Sequence, residues 1–287
     1  MTTIDLFCGI NSAGVPYTRE NKNHIGYFDI VKEKLIEDGY NVNGINISSF
    51  SKNCTWDLEK ALHLDYSLCK IKNMQRYSID KLRNTNLLFK LVIPKNFQKR
   101  YVPNIDDDKV TFKDIYINSE NPIFIYSGGP NDFFSYIQAG PVELMNKDVR
   151  EKLPNNLNEL VTKCVNNVEQ NLILLNELNK EVTIYVLSFY YSPLFDKIQK
   201  VIYLQEKINN KEKKYNNKFW EIINLYNSQL EEMCQKYDFV EYIDINFIRD
   251  NCATMDFHPN KIGNELIANE LLKKIQFRKQ NSDIKER

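Results

Sequence analysis

The strongest constraint on this chain is a repeated alternation of short apolar runs with longer amphipathic ones. The short runs fall at residues 3–8, 42–47, 122–127, 182–189 and 239–245. Each is rich in Ile, Val, Tyr or Phe and is bounded by Gly, Asn, Pro or Asp, the pattern of buried strands. Between them the spacing predicts helices. Residues 155–179 place Leu157, Leu160, Val161, Cys164, Val165, Val168, Leu172 and Leu175 on one stripe, and residues 219–236 do the same with Ile222, Ile223, Tyr226, Leu230 and Met233. A shorter helix is predicted over 28–37, stopping near Gly39, and a last one follows Asn260, a capping residue, with Leu266, Ile267, Leu271 and Ile275 on its apolar side. Strands that are apolar on both faces need helices on both faces. The expectation is therefore an α/β fold: three layers, α/β/α, flavodoxin-like, around a mainly parallel five-stranded sheet. In such a sheet, ligands bind beyond the carboxyl ends of the strands.

The 287 residues, 43% hydrophobic and 26% charged, suffice for a core without disulfides or metals. Residues 1–278 read as a single domain and 279–287 as a flexible tail. The stretch 65–118 breaks the repeat: it is polar, ends in the acidic run Asp106, Asp107 and Asp108, and reads as a helical insertion or cap. Residues 197–218 carry seven Lys against Glu206 and Glu212, the composition of a solvated helix face. Thirty-eight basic residues balance thirty-eight acidic ones. A net charge of zero withholds the long-range attraction that nucleic-acid binders use, so no nucleic-acid partner is expected. No stretch reads as a secretory signal or a membrane span. Six widely spaced cysteines form no CxxC pair, which argues against zinc; Cys164 and Cys234 fall on helix stripes as small hydrophobes. The expectation is a reduced, cytoplasmic protein needing no metal or cofactor, its oligomeric state unspecified.

Two segments can carry chemistry. Ser127-Gly128-Gly129-Pro130-Asn131-Asp132 follows the third strand. Its glycines permit a sharp turn close to a ligand, and Asn131 offers a neutral amide donor of the kind that stabilises a developing oxyanion. The second segment, Asp256-Phe257-His258-Pro259-Asn260, leads from the fifth strand into the last helix. Of three histidines, only His258 sits at such a junction, where Pro259 and Asn260 limit its motion; a neutral imidazole there can take a proton from a hydroxyl nucleophile.

Together these segments resemble the SGNH (GDSL-type) hydrolases. The family's Gly-x-Asn-Asp motif is matched by Gly129-Pro130-Asn131-Asp132, and its His-Pro motif, with Gly and Ala following in the helix, by His258-Pro259-Asn260, Gly263 and Ala268. The resemblance implies a three-layer α/β fold, a serine nucleophile after the first strand and an oxyanion hole that includes Asn131. The first motif, Gly-Asp-Ser-x-x-x-Gly, is altered here. Aligned without a gap, the nucleophile position holds Ile10, which has no attacking atom; a turn two residues longer brings in Ser12, flanked by small residues. The second motif's glycine is missing, with Ser49 or Ser51 in place to offer a backbone N–H. The family's Asp stands three residues before its His, where this chain has Met255. Asp256 stands two before, so either the loop is slipped by one residue or a backbone carbonyl orients the ring.

The implied reading is a serine-dependent ester hydrolase acting on a small-molecule or glycan ester, with Ser12, His258 and Asp256 as catalytic residues and Asn131, Gly129 and Ser49 around the oxyanion. A chain that keeps the scaffold but only binds an acylated or glycan ligand, or one that transfers the acyl group, is the alternative.

Overall fold

The computed structural model describes residues 2–10, 26–46, 58, 62, 111–136, 157–208, 218–252 and 258–285. Five strands form one sheet: β1 (Thr3–Ile10), β2 (Asn41–Asn46), β3 (Pro122–Ser127), β4 (Thr183–Leu187) and β5 (Val240–Ile243). The order is β2-β1-β3-β4-β5 and every pairing is parallel. The helices are α1 (Tyr27–Glu37), α2 (Phe112–Ile117), α3 (Pro130–Tyr136), α4 (Leu157–Leu178), α5 (Pro193–Ile208), α6 (Lys218–Cys234) and α7 (Lys261–Lys285), with a 3₁₀ turn at Asn246–Asn251. This is the three-layer α/β fold expected from the alternation.

Strand residues alternate between two cores. Ile4, Leu6 and Cys8 of β1 join Ile123 and Ile125 of β3 beneath α1 and α7. Phe7, Phe124 and Tyr126 face the other way, toward α2, α4 and α6. β3 is buried at all six positions, the mark of a central parallel strand with both faces covered. The third layer is completed by a smaller cluster in which Phe195, Ile198 and Ile202 of α5 meet Phe219 and Ile223 of α6. Lys197 and Lys200 lie on the exposed outer side of α5, which has an apolar inner side of its own; residues 209–217 of the predicted Lys-rich face lie outside the described residues.

Of the stretch 65–118, residues 111–118 are described. Residues 65–110 lie outside the described residues, but α2 packs directly on the sheet. Phe112 and Tyr116 are fully buried, and both meet Phe7 edge-on, with ring centroids 5.3 and 5.2 Å apart. Asn179, just past α4, donates to the carbonyls of Tyr116 and Ser119, closing the C-terminal end of α2. Phe112 and Tyr116 stand four apart beside Ile115 and Ile117, but six residues are too short a run for the helical period to be read.

Chain direction sets where a ligand can sit. From β1 the chain crosses under α1 to β2 on one side, whereas from β3 it crosses to β4 on the other. The crevice between the carboxyl ends of β1 and β3 is therefore the switch point of the sheet. Helices return antiparallel to the strands, so α1, α4, α6 and α7 begin at this same edge. No helix among the described residues is long and apolar enough to cross a membrane.

Candidate active site

The turn after β3 is built around Gly129. Its φ of +97° lies in the left-handed region, and a Cβ there would fall 2.1 Å from the Tyr226 hydroxyl oxygen, so both conformation and space demand glycine. Tyr226, from α6, donates a 2.7 Å hydrogen bond to the carbonyl of Gly128. The backbone N–H of Asp132 closes onto the carbonyl of Gly129 at 2.9 Å and starts α3. Asn131 is thereby fixed in the first turn of α3, half-buried, at the carboxyl end of β3. Asp132 points inward with no exposed surface and accepts from the Asn167 amide of α4 at 3.2 Å; Asn167 also donates to the Tyr136 hydroxyl at 2.7 Å. Beneath the turn, Asn171 donates to the Tyr126 hydroxyl at 3.0 Å. Burial holds the Tyr126 and Tyr226 phenols far above the usual tyrosine range, so both stay neutral near neutral pH.

Across the register, Ile10 stands opposite Ser127. β1 thus runs as a paired strand through Ile10. Ser12, Ser49 and Asp256 lie outside the described residues.

His258 is half-buried and immediately precedes α7. The loop that carries it is tied down on two sides. Pro259 forms an antiparallel bridge with Cys252, and the Asn260 N–H reaches the Asn251 carbonyl at 2.8 Å. The Asn260 side chain then caps α7, accepting from the Gly263 N–H at 2.9 Å. Gly263 allows this closeness: a Cβ there would sit 2.4 Å from the Asn251 carbonyl oxygen.

Asn264 joins this loop to the rest of the edge. Its amide donates to the carbonyls of Pro259 and Asn260, and its oxygen accepts from the backbone N–H of Tyr27 at 3.0 Å. The Tyr27 ring lies at the ends of β1 and β3, where its hydroxyl meets Cys8 and the Ser127 side chain, and burial raises its pKa well above the ordinary tyrosine value. The segments bearing Asn131 and His258 are thus both held at the carboxyl edge of the sheet. Among the described residues, no three His, Cys, Asp or Glu side chains converge as a metal site would require.

Several positioning residues escaped the sequence reading. Tyr226 lies on the stripe of α6 and reads there as core. Asn171 and Asn264 are polar residues on apolar stripes, 8% and 1% exposed. That mismatch was the signal by which they could have been found.

The sheet is all-parallel, with a glycine turn and Asn131 at its switch point, the edge at which such α/β folds bind their ligands. The family follows: residues 80–271 match the model of the GDSL-like lipase/acylhydrolases, and the chain belongs to that family. The fold is shared with a lipase, Lip_vut3, from a goat rumen metagenome, at 14% identity and a TM-score of 0.54 over 94% of this chain and 96% of that one. An extracellular lipase from Streptomyces rimosus aligns at 11% identity and a TM-score of 0.46, over 92% and 95% of the two chains. A family 3 carbohydrate esterase from Clostridium thermocellum aligns at 12% and 0.44, over 95% and 94%. A search of curated protein sequences gave no significant match.

Proposed function

We propose that this chain is a serine-dependent hydrolase of a carboxylic ester bearing an acetyl or short acyl group, on a small molecule or a glycan. Ser12 attacks the ester carbonyl and passes its proton to His258. A bond forms between Oγ and the carbonyl carbon, the oxyanion is held by Asn131 with backbone N–H groups near Ser12 and Ser49, and the carbon–oxygen bond of the ester breaks. The imidazolium returns its proton to the leaving alcohol, and water then repeats the sequence in reverse to free the acid. Asp256 supports the imidazolium. The Gly129 turn keeps the loop close to the reacting carbonyl.

The observation that carries this reading is the fixed Gly128–Asn131 turn at the switch point, on the same sheet edge as the His258 loop. The course of β1 argues against Ile10 at the nucleophile position, since Ile10 is still paired in the ladder opposite Ser127.

The test is turnover of 4-nitrophenyl acetate. The wild type should hydrolyse it, and Ser12→Ala should lose about 10⁴-fold or more in kcat. A wild type without turnover would make the chain a binder on a hydrolase scaffold. Equal rates for the two proteins would remove Ser12 from the mechanism.

A further inference from the structure

The Asn131 turn follows β3 and the His258 loop follows β5, and β4 lies between those strands in the sheet. The end of β4 is where the two are joined. The Ser188 N–H, just past β4, bonds the Ile243 carbonyl of β5 at 2.9 Å. Phe189, the next residue, has its backbone held by a side chain instead. Asn227 of α6 accepts from the Phe189 N–H at 2.8 Å and donates to its carbonyl at 2.7 Å, doing for one residue what a neighbouring strand would do. Asn227 is 6% exposed, and its chain neighbour is Tyr226, which grips Gly128. Two successive residues of one helix therefore hold the ends of β3 and β4. On the other side, the buried Ser188 hydroxyl accepts from the Ile245 N–H at 2.8 Å and donates to the Asp244 carboxylate at 3.0 Å, which also accepts from the Asn246 N–H at 2.9 Å. These residues open the 3₁₀ turn whose last member, Asn251, takes the Asn260 N–H, while Cys252 pairs with Pro259 beside His258.

From this chain of contacts we infer that Asn227 and Ser188 are positioning residues that set the placement of the Asn131 turn relative to the His258 loop. They act through the backbone they hold, not on the substrate. The inference rests on the ester-hydrolase reading above, in which an oxyanion donor and a base must fit one carbonyl at the same time. A displacement of about 1 Å between such groups can cost about 10²-fold in rate. Sheet pairing alone does not prevent one, because both groups stand beyond the strand ends. The link from Gly128 through Tyr226, Asn227, Phe189 and Ser188 to Ile245 crosses that gap with side chains that are each buried and fully engaged.

The test is 4-nitrophenyl acetate turnover by the full chain. Asn227→Leu and Ser188→Ala should each lower kcat by about 10-fold or more with KM nearly unchanged, since what they disturb is alignment and not binding. Because both cut the same link, the double variant should lose less than the product of the two single losses. Asn227→Asp keeps the acceptor for the Phe189 N–H and should recover part of the Asn227→Leu loss. Met233→Ala, in the core at the far end of α6, should lower the melting temperature and leave kcat near the wild-type value. Folded Asn227→Leu and Ser188→Ala proteins with wild-type kcat, or a Met233→Ala protein that loses kcat as they do, would overturn the inference. A wild type that cleaves no ester would refute the proposed function. The link is then read without turnover, from the amide signals of protein labelled with ¹⁵N-glycine. Ser188→Ala and Asn227→Leu should each displace the signals of both Gly129, in the Asn131 turn, and Gly263, beside the His258 loop, and leave Gly39 and Gly44 in place. Displacement on one side alone, or at all four glycines, overturns the inference.

Discussion

The hydroxyl of Tyr226 donates to the carbonyl of Gly128 across 2.7 Å, joining the middle of α6 to the turn that presents Asn131. Ninety-eight residues separate the pair in the chain. Removing the hydroxyl by Tyr226→Phe leaves a buried carbonyl without its partner, a loss of about 1–3 kcal/mol in denaturant unfolding. Since the proposed role of Asn131 is exercised on the transition state alone, ester turnover should fall in kcat with KM nearly unchanged.

Gly129 should tolerate no side chain. Gly129→Ala forces a Cβ into a φ of +97° and against the Tyr226 ring. The backbone conformation alone costs about 1–2 kcal/mol. Combining it with Tyr226→Ala removes the steric part but not the conformational part, so a double-mutant cycle should show the Gly129 substitution costing less in the Tyr226→Ala background. Equal costs in both backgrounds would contradict the contact.

Asn131→Ala should lower kcat by about 10²–10³ with little change in melting temperature, the effect of deleting one oxyanion donor. The same assay over pH reports on His258. A neutral imidazole is needed as base, so turnover should fall on acidification. A flat profile between about pH 5 and 8 would exclude His258 from that role.

Asn264→Ala leaves the Pro259 and Asn260 carbonyls and the Tyr27 N–H each without its side-chain partner. A loss of about 1–3 kcal/mol is expected. Asn264→Asp keeps the acceptor for Tyr27 but not the two donors, and should recover only part of it. Both are measured by thermal unfolding.

Alkali should unfold the protein in a defined window. Burial pushes the Cys234 thiol up from 9.0 to about 12, and it holds the Tyr27, Tyr126 and Tyr226 phenols well above 10. In the unfolded chain these groups lose their protons near their ordinary values, while the folded chain still holds them. The unfolded state then binds fewer protons, so stability falls as pH rises. Denaturant midpoints should therefore be insensitive to these groups below about pH 8 and decline above about 9. Cys234→Ala should soften the first part of that decline.

The strands, the long helices and the two motif segments were legible because each is local. A run such as 122–127 is apolar at every position, and a stripe such as Val161 to Leu175 repeats at the helical step, whatever surrounds them. The turn at Gly128–Gly129 and the cap at Asn260 were legible for the same reason, since glycine conformation and side-chain capping act over three or four residues. α5 was hidden because the lysine count of 197–218 is raised mostly by residues beyond its end, while Phe195, Ile198 and Ile202 recur at the helical step within it. The inward position of α2 was hidden because it depends on Phe7, more than a hundred residues earlier.

Sequence alone therefore determined the layers, the order of elements and the residue types available at the sheet edge, since periodicity and turn chemistry act between near neighbours. Tertiary structure alone decided that Tyr226 grips Gly128 and that Asn264 ties α7 to α1. Those contacts join segments tens to hundreds of residues apart. Their geometry exists only once the sheet has brought the ends of β1 and β3 and the starts of the helices to one edge.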